Sequence, residues 1–228
     1  MSVTNHLPTR SLGRDGPDVT VICLGTWPLG GGLGAIEEKQ AIRTVHAAID
    51  AGTNFIDTAE GYLTSEAMLG KALFGRRDRV VLATKLSGEH SPQHIRAAIE
   101  NSLRQLCTDY IDLYQIHRPD PRWPIADTMA ELVKLTEEGK VRTLGVSNFG
   151  VEQTAEASAF GPIASTQPHY SMLFRGIEND LLPYCLEHEI GVMAYAALAR
   201  GLLSGKYKAS HVFSDDDDRA SIPELTPA

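Results

Sequence analysis

Only three cysteines occur in 228 residues: Cys23, Cys107 and Cys185, odd in number, far apart and set in apolar runs. That scarcity argues against a disulfide framework and points to buried thiols in a reducing cytosol. Basic residues are also short, since 21 Lys and Arg against 29 Asp and Glu leave a net charge of -8. Nucleic acids and anionic membranes are gripped through Lys and Arg, so general affinity for either is not expected. No run of about eighteen apolar residues is present to cross a bilayer. The opening Met1-Ser2-Val3-Thr4-Asn5-His6 lacks the basic-then-apolar pattern of a secretory leader. Neither H-x-H nor H-E-x-x-H occurs, so the usual gathering points for a catalytic metal are missing and no metal is expected.

What the chain does have is a 43% hydrophobic content, enough for a sizeable core, arranged in a repeating order. A hairpin is expected over residues 9–24, turning at Gly13-Arg14-Asp15-Gly16-Pro17. Helical spacing of apolar residues then predicts helices over 37–51, from Ser65, from a Ser91 cap with Pro92 at the first turn, over 125–138, over 151–159 and over 177–189. Between them lie short apolar runs ending at Asp57, Lys85, His117, Ser147, Gln167 and Tyr195. Strand and helix alternate every 25 to 30 residues or roughly so, the pattern of βαβ units and a parallel sheet. The repeat is too even for two domains. Residues 1–228 are expected to form a single α/β domain of the (β/α)8 TIM-barrel type.

Seven strands are found, whereas an eight-stranded barrel takes about 250 residues. The last βα unit is therefore expected to be missing or replaced. Residues 208–228, with the run Asp215-Asp216-Asp217-Asp218, are expected to be an irregular, solvated tail.

In a barrel all strand C-termini converge on one face, where active sites are built. That convergence would gather Asp57 and Tyr62, Lys85, and His117 from successive strands. Lys85 beside Tyr62 is expected to favour the phenolate and lower the Tyr pKa, with Asp57 holding Lys85 charged. His117 would donate to a substrate oxygen, and the four together would protonate an alkoxide as hydride reaches a carbonyl carbon.

Other readings stand beside this one. Gly30, Gly32 and Ala35 satisfy G-x-G-x-x-A, with Asp57 ending the next strand, as in a Rossmann dehydrogenase. The same barrel residues could serve proton transfer in a non-redox lyase or cyclase, or the chain could be a cofactor-poor binding or regulatory protein. An unclosed barrel also exposes sheet edges, which a second copy of the chain could cover as a homo-oligomer.

Longer motifs add a resemblance. The stretches Phe55-Ile56-Asp57-Thr58-Ala59-Glu60-Gly61-Tyr62, Ala83-Thr84-Lys85, Asp109-Tyr110-Ile111-Asp112-Leu113-Tyr114-Gln115-Ile116-His117-Arg118-Pro119-Asp120, Gly145-Val146-Ser147-Asn148-Phe149 and Gly201-Leu202-Leu203-Ser204-Gly205-Lys206-Tyr207 are ordered along the chain. Over residues 9–207 the chain resembles the aldo-keto reductase family, in particular the branch that includes bacterial general-stress reductases and potassium-channel β subunits. The resemblance implies a cytoplasmic oxidoreductase that uses NADP(H) to reduce an aldehyde or ketone, a small-molecule carbonyl substrate, on a barrel without a Rossmann domain. It implies that Tyr62 is the general acid, assisted by Lys85, Asp57 and His117. Ser147, Asn148 and Gln167 would hold the nicotinamide carboxamide and Tyr195 would stack on its ring. Gly25, Thr26 and Trp27 would line the cofactor and substrate cleft, with Trp27 and Phe149 mostly on the substrate side. Leu198 and Gly201 would lie along the pyrophosphate. Two departures are visible: Ala196-Ala197-Leu198 stands where the family has Ser-Pro-Leu, and the family's segment for the adenosine 2′-phosphate lies past residue 228. Weakened cofactor affinity is expected from both.

Overall fold

The computed structural model describes residues 7–208, 210–214 and 217–222. A short antiparallel hairpin comes first, β1 (Thr9–Ser11) against β2 (Asp18–Thr20). Seven parallel strands follow: β3 (Leu24–Gly25), β4 (Phe55–Asp57), β5 (Val81–Leu86), β6 (Ile111–Ile116), β7 (Val141–Ser147), β8 (Ser165–Gln167) and β9 (Gly191–Val192). They pair in strict sequence order, β3 through β9. Helices connect them: α1 (Glu38–Asp50), α2 (Ser65–Ala72), α3 (Pro92–Leu106), α4 (Ile125–Glu137), α5 (Val151–Phe160) and α6 (Leu181–Glu187).

Side chains alternate across a pleated strand, and here the two faces serve two different cores. Ile56, Leu82, Leu86, Tyr114, Ile116 and Leu144 join the large core under the helices. Phe55, Ala83, Leu113 and Met193 instead pack with Leu12 and Val19 of the hairpin. The hairpin therefore closes the N-terminal end of the curled sheet. Its turn must come close, since a methyl on Gly13 (φ +78°) would sit 2.2 Å from the Ala164 carbonyl oxygen. Arg14 N also donates to the Glu189 carbonyl at 2.9 Å. With that end plugged, the inward positions one or two steps further along the strands are left to the opposite mouth.

The helices follow their apolar spacing. In α1, Ala41, Val45 and Ile49 share a buried face, and α3 buries Ile95, Ile99, Leu103 and Leu106. Ser91 caps α3 by accepting from His94 N, with Pro92 next to it. Glycine at position 70 lets α2 approach the end of α3, because a methyl there would meet the Gln105 carbonyl oxygen at 2.2 Å.

Several expectations need correction. Only Val19 and Thr20 of the second hairpin arm stay in the hairpin. Val21 and Ile22 are exposed, and Leu24 and Gly25 join the barrel sheet as its first strand. The helix expected over 177–189 breaks into a turn at Gly176–Asn179 and α6, with Asp180 (φ -141°, ψ -64°) accepting from Leu181 N between them. The strand ending at Tyr195 is shorter than expected, and Tyr195 is held by an isolated bridge to His169. Of the cysteines, Cys185 is buried and Cys23 half-buried, but Cys107 is exposed, since it ends α3 in a left-handed conformation outside the core. The tail is more ordered than expected. Asp217 is buried and ion-paired to Arg219 at 2.5 Å, and it bridges to Leu33. Asp215, Asp216 and residues 223–228 lie outside the described residues, as do residues 1–6. The Rossmann reading falls to the topology: Gly30 closes a short turn (Pro28–Gly30), and the parallel strands pair in sequence with no switch point.

Candidate active site

The inward side chains at the C-terminal ends of β4, β5, β6 and β8 meet around Asp57. Its Oδ2 accepts from Lys85 Nζ at 2.6 Å. Its Oδ1 accepts from Gln115 Nε2 at 3.2 Å and from Gln167 Nε2 at 3.1 Å. β8 lies four strands along from β4, so the last bond exists only because the sheet curls. Among the described residues β3 and β9 are not paired with each other.

Lys85 is fully buried. Besides Asp57, its ammonium donates to the Thr58 carbonyl at 2.8 Å and to the Tyr62 hydroxyl at 3.3 Å. An ammonium has three N–H groups, and all three are used. Burial pulls the Lys85 pKa down, but Asp57 and Tyr62 outweigh it and the net shift is upward, so Lys85 is a cation. Tyr62 is set by a tight turn after β4, in which its N–H bonds to the Ala59 carbonyl at 2.9 Å. Its ring lies edge-on between Trp27 (centroids 5.1 Å, 64°) and His117 (5.6 Å, 72°).

The expected lowering of the Tyr62 pKa is not what results. Lys85 does pull it down, yet burial is the larger effect and the phenol is raised above its ordinary value. Sequence places the cation but not the desolvation that outweighs it. Burial, with Lys85 and Arg118 beside it, holds His117 down at about 4, so the imidazole is neutral at neutral pH. A cavity of about 280 Å³ opens beside His117, lined among others by Leu86, Ser87, His90, Arg118 and Asp120.

A second polar group sits at the ends of β7 to β9. Ser147 Oγ donates to the Gln167 carbonyl at 2.8 Å, and Asn148 Nδ2 donates to the His117 carbonyl at 2.9 Å. Asn148 Oδ1 accepts from the Tyr195 hydroxyl at 2.9 Å, and the Tyr195 ring stacks on His169 (5.1 Å, 11°). Asn148 holds a left-handed backbone, φ 60°. On the other flank Thr26 is buried and donates to the Asp57 carbonyl at 2.9 Å, with Trp27 half-buried beside it. Gly25 is exposed at the mouth of β3, and a methyl added there would meet nothing within 4 Å. Leu198 is exposed and Gly201 (φ +103°) lies in the kinked turn Ala199–Ser204. Phe149 is buried and belongs to the helix-side core.

A nicotinamide carboxamide presents one acceptor oxygen and two N–H donors, so it needs a donor for the oxygen, acceptors for the N–H groups and a flat neighbour for the ring. Ser147, Asn148 and Gln167 carry hydroxyl and amide groups able to donate and accept, and Tyr195 supplies a flat ring. The residues fit the group. Among the described residues no cluster of three or more His, Cys, Asp or Glu is placed to hold a metal. No described helix is long and apolar enough to cross a membrane.

Residues 21–226 match the Aldo/keto reductase family. The chain belongs to that family. Across 229 aligned positions it is 41% identical to the aldo-keto reductase YhdN of Bacillus subtilis (strain 168), covering 94% of this chain and 69% of that protein. The structure of the glycerol dehydrogenase AKR11B4 from Gluconobacter oxydans superposes with a TM-score of 0.85 at 39% identity, over 98% of this chain and 73% of that one. An aldo/keto reductase from Klebsiella pneumoniae, in complex with NADP and acetate, gives 0.76 at 38% identity, over 84% and 70%. For an aldo/keto reductase the redox reading is favoured over the lyase, cyclase and binding-protein alternatives.

Two members of the site escaped the sequence reading. Gln115 lies two residues before His117 on the inward face of β6, so strand parity alone could have found it. Ser87 sits in the loop after β5, where no periodicity singles it out.

Proposed function

We propose that this aldo/keto reductase reduces an aldehyde or ketone to an alcohol with NADP(H), and that Tyr62 delivers the proton. The observation that carries the assignment is the direction of the Lys85–Tyr62 contact. Lys85 has no lone pair, so the phenol oxygen accepts, and the phenol's own proton is left uncommitted to any described partner. NADPH, when bound, supplies the hydride for the carbonyl carbon. Tyr62 gives its O–H proton to the carbonyl oxygen, and Lys85 stabilises the phenolate that remains. Burial keeps the phenol protonated until that moment. Asp57 holds Lys85 in place, and neutral His117 orients the carbonyl.

Ser147, Asn148 and Gln167 serve as the carboxamide ledge, with Tyr195 against the ring. Gly25, Thr26 and Trp27 form the opposite wall of the cleft, and Leu198 and Gly201 run along the pyrophosphate. Location in the cytoplasm and self-association across the β3 and β9 edges belong to the same proposal, and light scattering reads the second. Titrating NADPH while following protein fluorescence tests the core of it. Saturable quenching is expected below millimolar cofactor, and its absence sinks the reductase reading.

A further inference from the structure

We propose that Ser87 is a positioning residue: its hydroxyl donates to His117 Nδ1 and keeps the ring proton on Nε2, where it meets the substrate's carbonyl oxygen. The inference rests on His117 facing that oxygen in the proposed reduction.

Ser87 Oγ has one proton to give and two lone pairs. The Gly61 N–H points into it at 3.3 Å, which occupies one lone pair. Its other contact is His117 Nδ1 at 2.9 Å. No other acceptor for the Ser87 proton exists among the described residues. If Nδ1 carried the ring proton, the hydroxyl hydrogen would be left without an acceptor in a half-buried setting. If Nδ1 is bare, every group in the chain Gly61 N–H, Ser87 O–H, His117 Nδ1 is satisfied. The ring is neutral, so its single proton is then on Nε2. Nε2 has no hydrogen-bond partner among the described residues, so its N–H is free for a ligand.

Ser87 is itself held from both sides. Its N–H donates to Glu60 Oε2 at 2.9 Å, and its carbonyl accepts from His94 Nε2 at 2.8 Å. His117 N donates to the Leu86 carbonyl at 3.1 Å, which fixes the histidine backbone against the same strand end. Glu60 and Gly61 belong to the turn that carries Tyr62. One turn therefore places the proton donor and, through Ser87, sets the tautomer of the residue that polarises the carbonyl. The charged groups facing the ring are Lys85 from β5 and Arg118 from its own strand end, and both oppose a second ring proton.

Long-range proton–nitrogen NMR of the full chain reads the tautomer directly, with His117→Gln identifying the signals. The wild type should show His117 protonated at Nε2 and bare at Nδ1. Ser87→Ala should populate the Nδ1–H form and lower kcat/KM for the carbonyl about tenfold with NADPH affinity unchanged. Ser87→Thr, which keeps the hydroxyl, should restore both. A wild-type ring protonated at Nδ1 overturns the proposal, as does an unchanged spectrum in Ser87→Ala whatever its turnover. The spectrum needs no cofactor, so it decides the tautomer even for a chain that shows no NADPH-dependent turnover, the result that would count against the reductase reading instead.

Discussion

Lys85 Nζ lies 2.6 Å from Asp57 Oδ2 with the lysine side chain wholly removed from solvent. A buried ion pair of this kind is a poor source of stability taken whole, but removing one partner strands the other. Lys85→Met should therefore lower unfolding free energy by about 3 kcal/mol, because the buried Asp57 side chain loses its cationic partner. Urea denaturation measures it. Adding Asp57→Asn to Lys85→Met should recover part of the loss, whereas strictly additive losses would mean that the two side chains are not coupled.

His117 gives a pH dependence of definite sign. Its folded pKa, about 4, lies below the ordinary 6.5, so between those values the unfolded chain binds the extra proton. The associated stability is fully present above pH 6.5 and is lost as the pH falls toward 4. Its size is about 3 kcal/mol. Urea midpoints of the wild type and His117→Gln, followed down this range, should diverge in slope, with the variant falling less steeply; parallel slopes would remove the assigned shift.

Away from the site, Asp112 anchors the outer side of β6. It is buried and accepts from Arg77 Nη2 at 2.7 Å, Leu82 N at 3.0 Å and Arg142 Nη1 at 2.9 Å. Both guanidinium groups lie over the Tyr110 ring, at 4.2 Å and 3.8 Å. Asp112→Ala leaves a largely buried Arg77 cation and a backbone donor unpaired, and should cost about 3 kcal/mol. Thermal unfolding checks it. NADPH affinity measured at low temperature should stay unchanged, since Asp112 faces away from the cleft.

Much of the fold could be read from the chain because strands such as β5 are apolar runs with a single polar residue at the mouth. Lys85 stands out there by position alone. Ser91-Pro92 marked the start of α3 for an equally local reason, the cap geometry. What escaped depends on packing between distant segments. Val21 and Ile22 read as strand although they are exposed, since a β-branched pair carries the same propensity on either side of a surface. The break at Asp180 and the burial of Asp217 arise from partners chosen in three dimensions. Tyr62 shows the limit most clearly: its cation is legible in the sequence, while the burial that reverses its pKa shift is a property of the closed site.

Tyr62→Phe tests the central claim most directly, because it removes the hydroxyl, with its proton and its contact to Lys85, and keeps the ring packed between Trp27 and His117. Carbonyl-dependent oxidation of NADPH, measured beside fluorescence quenching by NADPH in the same samples, is the readout. The expected result is a loss of kcat of at least about a hundredfold with quenching unchanged. Turnover equal to the wild type would contradict the assignment of Tyr62 as the proton donor.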